Sequence, residues 1–67
     1  MNVGKIIRDL RHDRGMTQTQ LAHEISTTQD TISLWELGKS YPDIMNWIKL
    51  AKYFGVSTDY MLGLKDF

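Results

Sequence analysis

His12 and His23 are the side chains of this sequence best suited to metal or acid–base chemistry, and their setting argues against both roles. They fall on different segments, there is no cysteine, and His23-Glu24 lacks the second histidine that a metalloprotease helix requires. No serine, histidine and acid cluster suggests a nucleophile, and no glycine-rich loop suggests a nucleotide. Neither an enzyme, a cofactor nor a small-molecule ligand is therefore expected. A different stretch carries more: Thr27 to Ser40 reads TTQDTISLWELGKS, starting like a helix at a threonine and stopping at a glycine. Ile32 and Trp35 share its inner face. Gln29, Asp30, Ser33, Leu34 and Leu37 are left on the outer arc, three of them able to hydrogen-bond outward.

Such a helix needs a scaffold, and 67 residues provide for one small domain, 1–67. A chain of this size buries about 60% of its unfolded surface, so packing must supply the stability that disulfides do not. No apolar run approaches the roughly 18 residues that span a bilayer, and the start of the chain is polar, so the sequence reads as cytoplasmic with no membrane partner. Lys plus Arg is 8 and Asp plus Glu is 8. Net charge thus gives no pull toward a polyanion, and residues 17–37 hold Glu24, Asp30 and Glu36 without a single Lys or Arg.

The helices are punctuated at both ends. Gly15, Gly38, Gly55 and Gly63 stand where a helix should stop, and Thr17 with Gln20, Asp43, and Ser57 with Asp59 stand where the next should start. Between the second and third helices there is no glycine; Thr27 and Thr28 are the candidate caps. The apolar spacing agrees: Val3, Ile7 and Leu10; Leu21, Ala22 and Ile25; Ile32 and Trp35; Ile44, Trp47, Ile48 and Ala51 with Phe54. The expectation is an all-α fold of five helices near 3–14, 18–25, 28–37, 44–54 and 58–63, with no repeat or linker. The second and third are too short to stack antiparallel. They must cross steeply over a scaffold formed by the first and fourth, which is a helix-turn-helix arrangement.

The segment TQTQLAHEISTTQDTISLWELGKSYPD is similar to the helix-turn-helix core of the phage repressor and Cro family, also called the XRE family. Thr17-Gln18, Leu21-Ala22, Thr28, Ile32, Trp35-Glu36, Gly38-Lys39 and Pro42 match its pattern in register, and the likeness runs over nearly the whole chain. The resemblance implies a compact lambda-repressor-like domain that binds double-stranded DNA and regulates transcription, as a repressor, with the third helix in the major groove.

Carried over residue by residue, the resemblance turns Thr28, Gln29, Asp30, Ser33 and Leu34 toward base edges. Gln29 is the strongest of these, because a carboxamide donates to N7 and accepts from N6 of adenine at once, a match worth about 1–3 kcal/mol of discrimination; the alternative is a solvated glutamine. Leu34 meets a thymine methyl or a protein. Gln18 resembles the residue that reaches a phosphate from the start of the second helix, with Lys39, Ser40 and Tyr41 as a second clamp. Lys39 could equally serve its own helix C-terminus. Arg11 and Glu36 are implied to form an ion pair that ties the first helix to the third.

Tyr60, Leu62, Leu64 and Phe67, with Val56 and Met61, are more apolar surface than one short terminal helix buries. They either cap the core or make a homodimer on a palindromic operator. A competing expectation is a protein-interaction module, antitoxin-like or a phage regulatory partner, motivated by zero net charge, by Asp30 in the reading face, and by Leu34 and Leu37 beside it.

Overall fold

The computed structural model describes residues 2–65, and among them five α-helices follow one another with short connections. Helix α1 spans Val3–Asp13, α2 Gln18–Glu24, α3 Gln29–Glu36, α4 Ile44–Phe54 and α5 Thr58–Met61. Each begins where a short polar side chain accepts a backbone N–H that the helix itself leaves unpaired. Thr17 and Gln20 close a reciprocal box, with Gln20 N–H donating to Thr17 Oγ1 at 3.0 Å and Thr17 N–H to Gln20 Oε1 at 2.8 Å. Thr28, Asp43 and Ser57 cap α3, α4 and α5 in the same sense. Asn2, which sequence reasoning passed over, caps α1 by accepting from Lys5 N–H at 3.3 Å. At the other ends, Arg14, Ile25 and Leu37 are C-caps, so α1, α2 and α3 stop one residue inside the expected limits, while α4 ends where expected and α5 two residues short.

The four expected stop glycines all have positive φ, as a left-handed terminal residue requires. The break without a glycine is made by Ser26, at φ 59° the one non-glycine residue of that kind among those described. It turns the chain from α2 into α3 while Thr27 N–H donates to Ala22 O at 2.9 Å.

Val3 and Ile7 of α1, Leu21 and Ala22 of α2 with its C-cap Ile25, Ile32 and Trp35 of α3, and Leu50, Ala51 and Phe54 of α4 close into one core with Met61 of α5. Helix α1 is its spine: α3 and α5 both pack on it, α2 leans on α3, and α4 on α5. Gly4 makes the α1–α3 approach possible, since a Cβ there would lie 2.4 Å from Trp35 O and 2.7 Å from Glu36 O. Arg14 locks the far end, donating to Tyr53 O at 3.2 Å and Phe54 O at 3.1 Å.

One expectation fails. Ile44 and Ile48 were assigned to the inner face of α4, yet they are 74% and 39% exposed, while Leu50 is fully buried. Helix α4 is apolar around most of its circumference, so two faces satisfy helical spacing, and only the position of its neighbours selects the one carrying Trp47, Leu50, Ala51 and Phe54. The other face stays outside. No helix among the described residues is long and apolar enough to cross a membrane.

Candidate functional site

Helix α3 is held by its inner residues, Ile32 and Trp35, which leaves its first turn free to be furnished for another purpose. Thr28 Oγ1 is committed to capping, accepting from Thr31 N–H at 3.2 Å and lying 2.9 Å from Thr31 Oγ1. Gln29 and Asp30 are exposed, Ser33 is half-buried, and Leu34 lies on the same side, 42% exposed. Asp30 in the first turn also meets the positive end of its own helix dipole, which gives it a stabilising role independent of any ligand.

The site is built on a chain of hydrogen bonds that starts in the core. Arg11 grips Glu36 with two nitrogens, Nε to Oε2 at 2.8 Å and the second terminal nitrogen to Oε1 at 2.9 Å. Its remaining guanidinium nitrogen donates to Met16 O at 2.8 Å. Glu36 Oε1 also accepts from Gln18 Nε2 at 3.1 Å, and Gln18 Oε1 accepts from Gln29 Nε2 at 2.6 Å. A carboxylate only accepts, so Glu36 decides which way the Gln18 amide points, and Gln18 in turn decides Gln29. Gln29 is left with its carbonyl oxygen and one N–H facing outward.

Burial alone would raise the Glu36 carboxyl, but hydrogen bonds from Arg11 and Gln18 and the charge of Arg11 outweigh it and hold the group below its ordinary value. The hydrogen bond to Glu36 raises Arg11 in return. The side chains of the pair are 10% and 5% exposed, so the charge of Glu36 is neutralised beneath the surface and not presented on it.

The expected phosphate-contact residues divide. Gln18 is half-buried and bridges Glu36 to Gln29, a role no sequence spacing betrays because the three lie on separate segments. Lys39 is exposed just beyond α3, with its N–H and that of Ser40 donating to Leu34 O. Tyr41 lines an apolar groove against α4. A polar groove of ≈ 610 Å³ runs from Arg11 and His12 past Thr17, Gln18 and Thr19 to Gln29. Of the expected dimer residues, Tyr60 and Leu62 are half-buried, Leu64 is 72% exposed, and Phe67 lies outside the described residues. His12 and His23 are exposed on different helices, and no group of three metal-ligating side chains occurs among the described residues.

The helix-turn-helix family model matches residues 7–61. The HTH-type transcriptional activator BcrR of Enterococcus faecalis is 34% identical over 62 residues, 92% of this chain and 30% of its own length. The HTH-type transcriptional regulator ImmR of Bacillus subtilis is 33% identical over 63 residues, 94% of this chain and 50% of its own. The chain thus spans between about a third and a half of these relatives. Among solved structures, the P22 c2 repressor protein in complex with a synthetic operator superposes with a TM-score of 0.90 at 28% identity, over 97% of this chain and 98% of that one.

Proposed function

This chain belongs to the helix-turn-helix family of phage-repressor type, and from that premise we propose that it is a sequence-specific DNA-binding regulator of transcription, a repressor, without catalytic activity. Helix α3 enters the major groove of duplex DNA with Thr28, Gln29, Asp30, Ser33 and Leu34 toward the bases, while Gln18, Lys39 and Ser40 engage phosphates and Tyr41 stands at the edge. Such a regulator works in the compartment that holds the DNA, in keeping with the cytoplasmic location expected from sequence.

The observation that carries this reading is the Gln29 amide. Its orientation is set from Arg11 and Glu36 through Gln18, and the groups left over are one acceptor and one donor, the pair that the N6 and N7 edge of adenine complements. A solvated surface glutamine has no such bracing. The polar groove beside it runs along the start of α2, where a DNA strand can lie, and the P22 c2 repressor, similar in fold over nearly its full length, is solved on an operator. A second copy on the adjacent half-site, about 34 Å along the duplex, makes the operator palindromic.

Selection of sites from random duplex DNA tests the reading. It expects an enriched motif that Gln29→Ala relaxes at one base pair and that Lys39→Ala weakens for all sequences alike. The competing reading, a module whose main partner is another protein, draws on Leu34 and Leu37, 42% and 65% exposed, and on the zero net charge. Absence of any motif at low salt would favour it.

A further inference from the structure

The polar groove beside α3 holds one side chain that the proposed DNA contacts leave unused. His12, in the last turn of α1, lines this ≈ 610 Å³ groove together with Gln18 and Gln29. Its side chain is exposed and makes no hydrogen bond or ion pair among the described residues, so both ring nitrogens are free to turn toward a ligand. The backbone that carries it is fixed, with Gly15 N–H donating to His12 O at 2.9 Å. We propose that His12 is a further phosphate contact, made by its protonated ring, which couples the hold on DNA to proton uptake; the inference rests on the DNA-binding reading.

The groove is suited to an anion, and His12 is its one adjustable charge. No carboxylate lines it, and its permanent cation, Arg11, is committed through all three nitrogens to Glu36 and to Met16 O. Residues 17–37 supply no Lys or Arg, so a DNA strand lying along the start of α2 meets neutral groups there and His12 opposite them. A neutral imidazole offers a phosphate one N–H; the protonated ring offers two and a charge, and hydrogen bonds of that kind are the strong ones. The charges that face His12 are Arg8 and Asp9, a turn earlier on α1, Arg11 beside it, and Glu36 of α3. Helix α2 brings no charge to the groove, and no residue of α4 or α5 lines it. Neither acid is free to claim the ring, since Asp9 is held by Lys5 at 2.7 Å and Glu36 by Arg11 at 2.8 Å. The charge of His12 nonetheless acts on the Glu36 carboxyl, which sets the ring near the network that orients Gln18. A phosphate binds the charged form better, so affinity must rise as pH falls through the range, about 8 to 5, in which histidines gain their charge. Glu36 titrates below its ordinary 4.5 and stays ionised throughout that range.

Fluorescence anisotropy on the selected duplex, between about pH 5.5 and 8 and over a range of salt, tests this with wild type, His12→Gln, His12→Lys and His23→Gln, each of verified Tm. Wild type and His23→Gln are expected to bind roughly tenfold tighter at the acid end, with a salt slope steeper there by about 0.9, the increment of one added phosphate contact. His12→Gln should lose both changes and keep the same preferred site. His12→Lys should bind at all these pH values with the steeper slope. Affinity that does not vary with pH in wild type overturns the inference, as does a pH response that survives in His12→Gln or one that leaves the salt slope unchanged. In each of those cases the duplex is still bound and the DNA reading stands. A chain that binds no duplex at any pH or salt overturns the DNA reading and this inference together.

Discussion

Gln29 reaches across the turn between α2 and α3 to Gln18, amide nitrogen to carbonyl oxygen at 2.6 Å, although the two stand 11 positions apart. Gln18 in turn is held by Glu36, so an exposed side chain of the proposed reading face is oriented by an ion pair in the interior. Orientation of this kind favours recognition because the side-chain entropy is lost on folding and not again on binding.

Gln18→Ala is therefore expected to relax specificity at the same base pair as Gln29→Ala, beyond any general loss from a phosphate contact. The Gln29→Ala change should cost about 1–3 kcal/mol of discrimination. In a double-mutant cycle the two losses should fall short of adding, because removing either ends the same interaction. Site selection with the four proteins measures this, and strictly additive losses would show that Gln18 acts on phosphate alone.

Arg11→Ala should cost about 3–5 kcal/mol, the penalty for stranding one partner of a buried pair. A chain of this size has total stability of roughly 3–10 kcal/mol, so the variant is expected to be largely unfolded by circular dichroism.

The same pair makes stability depend on pH. The native Glu36 carboxyl titrates below its ordinary 4.5, so its contribution is complete above 4.5 and drains away as pH falls toward the lower native value. Urea unfolding of wild type and Glu36→Gln should show a gap that is constant from neutrality down to about that point and narrows below it. A gap that widened in acid would reverse the assigned direction.

Local features of this fold were legible in the sequence and tertiary ones were not. Thr17, Asp43 and Ser57 act on N–H groups three residues away, so the cap and its target stand together in the text. The inner residues of α3, Ile32 and Trp35, could be read because polar residues surround them. Helix α4 offered two apolar faces, and periodicity has no means of choosing between Ile44-Ile48 and Leu50-Phe54. The bridge through Gln18 joins three segments, so its parts could be named while the Gln18–Gln29 contact stayed unseen. Gly4 was the glycine with no helix end to explain it, and its reason is a neighbour 31 residues downstream, Trp35.

Gly4→Ala tests that neighbour. Alanine is the better helix former by up to about 1 kcal/mol, so propensity alone predicts a gain. The added Cβ would stand 2.4 Å and 2.7 Å from two backbone oxygens that have nowhere to rotate, and α1 must lift from α3. A net loss of about 1–3 kcal/mol is expected, a fall in Tm of roughly 5–20 °C. An unchanged Tm would mean that the helices part at no cost.

Ser26→Gly should go the other way. Serine at φ 59° carries a left-handed strain of about 1–2 kcal/mol, and glycine relieves it at an entropic cost of about 0.5–1 kcal/mol. A net gain near 0.5 kcal/mol, with site affinity unchanged, is the expected result of thermal and binding measurements.

Salt dependence should set this chain apart from basic DNA-binding domains. Lys5 pairs with Asp9, Arg11 with Glu36 and Lys65 with Asp59, while Arg14 and Lys49 donate to backbone carbonyls. Among the described residues, Arg8, Lys39 and Lys52 are left without an ion pair or hydrogen bond of their side chains. Each phosphate neutralised contributes about −0.9 to the slope of log K against log salt, so a slope no steeper than about −3 is expected on duplex DNA. Lys39→Ala should flatten it by about 1 while leaving the preferred site unchanged, whereas Gln29→Ala should change the site and leave the slope alone. A slope twice as steep would require cations now held in internal pairs to leave them for phosphate, and Arg11 could not do so without releasing Glu36 and, with it, Gln18 and Gln29.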